Sequence, residues 1–292
     1  IKTKTKFNNR NNLNNTKVNV LTYNMSWATQ INKVLGSESD FVKECQRMYK
    51  NGGKTCSKNA VQGIGSLKDL HLMGIQEVNS KIEPKIKKVQ PKLTKFKRGT
   101  FGQSTVSILW DPNVFGKCID ELVFNLCDEK DSRPCLILLT EKNGQFFLLI
   151  NVHASWEFKL LSKFLTKHLS SSDNKLIKDK FKDKNTKIIV MGDFNDDKSM
   201  ISKRKPLTFK INKKVLSVKH NKSKKELKKS LKSCCWHEKG HKWGHFDSPG
   251  DYILTNDQIK QLKMYIPKYF NKKHRNSLMF SDHKPVMSEL LI

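Results

Sequence analysis

Five apolar runs, spread over most of the chain, each meet a side chain that can carry or bind charge. Lys17-Val-Asn-Val-Leu-Thr-Tyr-Asn24 closes on a carboxamide, and His71-Leu-Met-Gly-Ile-Gln-Glu77 on a carboxylate. Phe146–Asn151 runs into His153, and Lys187–Met191 into Asp193 and Asn195. Asp251 stands directly before Tyr252–Leu254, and Ser281-Asp282-His283 comes just ahead of a final apolar run at Pro285–Leu290. Short Val-, Ile- and Leu-rich runs bounded by polar residues read as buried strands. Laid side by side in two sheets, such strands bring their polar ends to one edge. So many carboxylates desolvated together are costly unless a cation, or an anionic substrate with its metal, offsets them. Oxygen donors from Glu, Asp and Asn suit a hard ion that keeps most of its water.

Further strands are predicted at Val106–Trp110 and Leu136–Thr140, and helices around Asp40–Tyr49, Asn59–Leu70 and Phe158–His168. The helices fall between strand groups. The expected fold is therefore α+β: a four-layer α/β/β/α sandwich of two mixed or antiparallel sheets flanked by helices. Residues 17–292 read as a single domain, preceded over 1–16 by a Lys/Asn-rich tail expected to be disordered. Residues 30–57 read as an irregular insertion around the first of those helices. The stretch 198–232 sets fourteen Lys and Arg against Glu226 alone and reads as a long basic insertion.

The net charge is +29, carried by 56 basic residues against 27 acidic ones. One reading is a polyanionic partner, nucleic acid first and an acidic lipid surface second. The other is coding bias, because only six of the basic residues are Arg and Asn is also abundant. Either way the field draws acidic macromolecules, and salt weakens that pull. No apolar run approaches the roughly 20 residues that span a bilayer, so a water-soluble monomer is expected. The seven cysteines lack paired CxxC spacing and are expected to be reduced thiols, with Cys118 and Cys127 the one pair spaced for a small loop. Cysteine usage favours an intracellular protein, and secretion stays open for a chain that opens on Ile1.

Six segments, in order, carry a family resemblance: Thr22-Tyr-Asn24, Gln76-Glu77-Val, Asn151-Val-His153-Ala, Met191-Gly-Asp193-Phe-Asn195, Gly250-Asp251-Tyr-Ile and Ser281-Asp282-His283-Lys-Pro-Val. Together they resemble the ordered motifs of the endonuclease/exonuclease/phosphatase superfamily, the deoxyribonuclease I-like fold. Arg133, before the strand Pro-Cys-Leu-Ile-Leu, resembles a less specific element of the same family.

The resemblance implies a Mg²⁺-dependent hydrolase of phosphate esters, with Mn²⁺ able to replace Mg²⁺. It implies Glu77 as the main metal ligand, Asp282 as an accessory one, and Asn24 holding the metal's water shell or the phosphate. Asp193 would orient or deprotonate the attacking water, and Asn195 and Arg133 would fix the phosphate. His283, kept protonated by Asp251, would donate to a non-bridging oxygen. His153 would be a second imidazole at the phosphate and a candidate acid for the leaving oxygen. These roles supply what in-line attack needs: charge neutralisation, an aligned water and a protonated leaving group.

Ser26, and His153 itself, depart from the abasic-site endonuclease branch, which tends to carry Asp and Tyr there. Ser-Pro-Gly before Asp251 lacks the arginine signature of the inositol polyphosphatases. A nuclease acting on DNA or RNA is therefore the leading expectation. The alternative is a phosphatase or phosphodiesterase acting on phosphoinositide, sphingomyelin-type or other small esters. Cys234-Cys-Trp-His237-Glu-Lys-Gly-His241-Lys-Trp-Gly-His245 is spaced as a Cys/His zinc site could be, but reads first as a substrate rim. In it Trp236 and Trp243 would offer stacking faces to substrate, or simply pack under the loop.

Overall fold

The computed structural model describes residues 16–34, 39–126, 132–154, 158–171, 175–180, 185–195, 206–211, 214–221, 231–236, 249–271 and 280–292. Its strands are β1 (Lys17–Asn24), β2 (Leu70–Gln76), β3 (Lys95–Phe101), β4 (Ser104–Trp110), β5 (Lys117–Asn125), β6 (Pro134–Lys142), β7 (Gln145–His153), β8 (Lys187–Asp193), β9 (Leu207–Ile211), β10 (Lys214–Val218), β11 (Asp251–Thr255), β12 (Lys260–Tyr265) and β13 (Val286–Leu291). One sheet runs β12-β13-β1-β2-β4-β3 and the other β11-β8-β7-β6-β5, with β9 and β10 forming a separate hairpin. Each sheet contains one parallel pair, β1 with β2 and β7 with β8, and every other pairing is antiparallel.

The parallel pairs explain the helices. A parallel neighbour cannot be reached by a hairpin and needs a long crossover. Between β1 and β2 the crossover carries α1 (Trp27–Ile31), α2 (Ser39–Met48) and α3 (Gly53–Gly65). The other links carry only short helices, α4 (Glu83–Val89) between β2 and β3 and α5 (Pro112–Phe115) where the chain passes from β4 of the first sheet to β5 of the second. Between β7 and β8 the crossover carries α6 (Phe158–Leu169) and α7 (Lys175–Lys180). These crossovers flank the two sheets, whose facing surfaces form one buried core. Gly74 of β2 marks the closest approach of the sheets: a Cβ there would stand 2.8 Å from Met191 Cγ and 2.9 Å from Asn151 Oδ1.

The predicted strands are all present. The helix expected at Asn59–Leu70 instead starts at Gly53 and stops at Gly65. Ser66 Oγ donates to the Gly63 carbonyl at 2.7 Å, Asp69 turns through φ 51°, and Leu70 already belongs to β2. Three strands that the apolar runs did not announce, β3, β5 and β12, lie at sheet edges. Edge strands are half exposed and carry charge that discourages further pairing, so they leave no continuous apolar run. Within the Lys-rich stretch, Leu207, Phe209 and Ile211 alternate inward with exposed neighbours, and β9 packs on α6.

The cysteine expectation needs correcting. Cys45 and Cys56 form a disulfide, because the turn between α2 and α3 brings their Cα atoms to 6.3 Å. Cys234 and Cys235 are also joined, whereas Cys118 and Cys135 are free and Cys127 lies outside the described residues. Residues 1–15, 198–205 and 222–230, where the tail and much of the Lys-rich stretch fall, are likewise outside them. Among the described residues, no helix is long and apolar enough to cross a membrane.

Candidate active site

Strand register alone assembles most of the polar ends. Asp251, Asp193 and His153 lie in one row across the second sheet, because Asp251 pairs with Asp193 and Asp193 with His153. In the first sheet Asn24 pairs with Gln76, which places Glu77 one residue beyond the strand. There the chain leaves the sheet through φ 54°, a conformation uncommon outside glycine. Ser26 and Asn195 also take positive φ, so three of the six such non-glycine residues described cluster at this edge. That concentration of backbone strain is the pattern of a built site rather than of ordinary strand termini.

Asn24 ties the two sheets together. Its Nδ2 donates to Glu77 Oε1 at 2.9 Å and to Asp193 Oδ2 at 3.1 Å, while its Oδ1 accepts from the Ser26 N–H at 3.0 Å. Glu77 also accepts from the Trp27 N–H at 3.1 Å. Asp193 Oδ1 accepts from the Asn195 N–H at 2.9 Å, and Asn195 Nδ2 donates to the Ala154 carbonyl at 2.9 Å. His283 Nδ1 lies 3.0 Å from Asp251 Oδ2, and its Nε2 stands 3.7 Å from Asp193 Oδ2. The first is a hydrogen bond; the second is too long for one and leaves that nitrogen and oxygen for a ligand between them. His153 Nε2 lies 2.6 Å from Arg133 Nη1 and its Nδ1 3.2 Å from Ser104 Oγ. Glu77, Arg133, His153, Ser104 and Trp27 line a cleft of about 250 Å³.

The two imidazoles are driven apart electrostatically. Burial lowers the pKa of His153, and Arg133 adds to that against Glu77 and Asp193. Since a guanidinium only donates, His153 Nε2 must accept from it, so the ring is neutral. The 3.4 Å approach of this nitrogen to Glu77 Oε1 is then a contact rather than an ion pair. Burial also pulls His283 down, but Asp251, Asp193 and Asp282 outweigh it and hold the ring well above its ordinary pKa. Burial, reinforced by Asp251, raises Asp193 against the two histidines. Burial, with Glu77 and Asp193 nearby, pushes Asp282 up to about 6. Four carboxylates thus share the edge with one guanidinium and one imidazolium. A divalent cation would relieve that imbalance, and Asp193, Asp251 and His283 bring ligand atoms within 4.8 Å of one another, a group that could hold a metal ion.

No protein-family model matches the chain, and no curated protein matches it in sequence. Solved structures do. An endonuclease/exonuclease/phosphatase from Bacteroides vulgatus superposes with a TM-score of 0.58 at 14% identity, over 94% of this chain and 98% of its own. The chain has the endonuclease/exonuclease/phosphatase fold. TDP2 from D. rerio, complexed with a single-strand DNA product, gives a TM-score of 0.58 at 14% identity over 94% and 99% of the two chains. A mannosyl-6-phosphatase from Bacteroides thetaiotaomicron gives 0.56 at 17% identity over 94% and 100%.

Within this fold, the residues picked from sequence as catalytic or metal-binding (Asn24, Glu77, His153, Asp193, Asn195, Asp251, Asp282 and His283) come to one edge, with Arg133 on its rim. Asn24 Oδ1 accepts from Ser26 and its Nδ2 braces the two carboxylates. Trp236 needs correction as a stacking face for substrate. It is buried edge-on against Phe41 at 5.8 Å, beside the Cys45–Cys56 disulfide. Trp243 and His237–His245 lie outside the described residues.

Several supporting residues had no role assigned from the sequence. Ser233 Oγ accepts from the Gly250 and Asp251 N–H groups, both at 3.1 Å. Ser281 Oγ donates to the Asn24 carbonyl at 2.9 Å, fixing the His283 loop to β1. Between the sheets, Gln76 donates to Asn151 Oδ1, and Asn151 donates to the Ile75 and Ser107 carbonyls.

Proposed function

We propose that the protein is a metal-dependent phosphoesterase, and that it hydrolyses phosphodiester bonds of DNA or RNA by in-line attack of water. The observation that carries this reading is the pairing of the Asp193 carboxylate with the protonated His283, 3.7 Å apart and held from behind by Asn24 and Asp251. Glu77 and Asp282 would hold Mg²⁺, or Mn²⁺ in its place, which when bound neutralises charge on the phosphoryl oxygens.

The rest follows from this chain's own groups. Asp193 orients the water and takes its proton, and its raised pKa brings it closer to the basicity that proton transfer near neutral pH asks for. His283 donates from Nε2 to a non-bridging oxygen, a contact that strengthens as charge builds there. Arg133 faces the same phosphate from the rim, and Asn195 fixes its orientation. His153 is the second imidazole within reach of the phosphate, neutral until it gains a proton.

Nucleic acid is favoured by what adjoins the cleft. Gln30 Nε2 donates to the Glu77 carbonyl at 2.6 Å and, on its other side, lines a cavity of about 620 Å³ ringed by Lys54, Lys58, Lys81, Lys85 and Lys88. A run of ammonium groups beside a phosphate-cutting centre suits the backbone of a strand that continues past the cut. The single-strand DNA in the TDP2 structure agrees with that substrate class. The small size of the cleft and the mannosyl-6-phosphatase of the same fold favour a second reading, a small phosphate ester.

Digestion of plasmid DNA and single-stranded RNA, with Mg²⁺ and again with EDTA, separates the two. The nucleic-acid reading expects cleavage that EDTA abolishes. Intact nucleic acid alongside turnover of a sugar phosphate, phosphoinositide or sphingomyelin would establish the second reading instead.

A further inference from the structure

Two sulfur atoms at this edge have no role in the hydrolysis. Residues 231–236 run beside the His283 loop: the Trp236 N–H donates to the Asp282 carbonyl and the Lys284 N–H to the Ser233 carbonyl, both at 2.8 Å. This alignment brings Cys234 Sγ and Cys235 Sγ each to 3.6 Å from His283 Nε2, and all three atoms lie within 4.8 Å of one another. Tetrahedral zinc, with Zn–S of about 2.3 Å and Zn–N of about 2.1 Å, sets a sulfur and a nitrogen ligand about 3.6 Å apart. The three atoms leave the fourth position of such an ion for water. Asp251 on Nδ1 is the kind of carboxylate partner that orients a metal-binding imidazole. Two sulfurs on a tetrahedral ion stand about 3.8 Å apart and cannot remain bonded to each other.

We propose that Cys234, Cys235 and His283 form a site for a thiophilic divalent cation such as Zn²⁺, which opens when the Cys234–Cys235 disulfide is reduced and inhibits the enzyme by occupying His283 Nε2. The soft sulfur donors set it apart from the hard-oxygen Glu77 site, so the two select different ions. A phosphine supplies the reduction: the S–S bond breaks, water provides oxygen to the phosphine oxide and a proton to each sulfur. Binding the cation then releases the two thiol protons and the Nε2 proton of His283. The inhibition rests on the hydrolase reading; the binding does not.

Titrating the phosphine-reduced, desalted full chain with Co²⁺ tests the site. The expected result is a thiolate-to-cobalt charge-transfer band that saturates at one equivalent and is displaced by Zn²⁺. Cys45→Ser/Cys56→Ser keeps the band. Cys234→Ser/Cys235→Ser loses it and retains Mg²⁺-dependent hydrolysis, whereas the reduced wild type loses activity with Zn²⁺ by on the order of 10²-fold, as for one lost charge-stabilising donor. Should the double variant misfold, Cys235→Ser alone, at the more exposed position, is expected to weaken the band. A band that is absent from the reduced wild type, or unchanged in the variants of Cys234 and Cys235, overturns the site. A saturating band in a protein that cleaves no phosphate ester leaves the cation site standing and removes the hydrolase reading.

Discussion

The smallest unit that decides the chemistry is the Asp251–His283 pair. With its pKa held well above the ordinary value, His283 stays protonated through neutrality, and its donor is lost only as pH rises through that raised pKa. Activity should therefore fall on the alkaline side. Asp251→Asn removes the carboxylate that counters burial, so the alkaline limb of kcat/KM should move to lower pH, with a loss at neutral pH on the order of 10-fold or more. An unchanged alkaline limb in Asp251→Asn would show that another group sets it. At this scale the sequence was legible for residues whose type carries the chemistry: carboxylates and imidazoles at the ends of apolar runs. It assigned no role to Ser233, Ser281, Gln76 and Asn151, whose side chains are ordinary anywhere. Their importance comes from partners such as Asn24, far from Ser281 along the chain. Trp236 misled for a related reason, since an aromatic near a cluster of His and Lys looks the same whether it faces a ligand or Phe41.

Among the elements, β8 sets the tolerance of the site. Gly192 takes φ 149°, and a Cβ there would meet the Val152 carbonyl oxygen at 2.1 Å. Gly192→Ala must therefore push β7 away from β8 just where His153 and Asp193 pair. We expect a loss of about 2 kcal/mol or more in urea unfolding, with activity falling further than stability at temperatures where the fold survives. Wild-type stability and rate would show that the row Asp251–Asp193–His153 is looser than the register implies. Interior strands were readable because burial on both faces writes them as apolar runs. Edge strands β3, β5 and β12 were not, because they trade that signal for charge and exposure.

Over the whole molecule, two parallel pairs buried back to back aim their ends at one edge, in a chain of net charge +29. If the five lysines around the Gln30 cavity follow a single strand, log Kd for single-stranded DNA should vary with log salt with a slope of about 3.5. A small phosphodiester measured in the same buffers should show almost none of it. Equal salt dependence for both would tie the charge to the protein's general field rather than to a binding track. The most direct test of the account compares wild type with Asp193→Ala, folded to the same extent, on single-stranded DNA or RNA in Mg²⁺. The variant should be slower by on the order of 10²-fold or more; cleavage at the wild-type rate would mean that Asp193 does not activate the water.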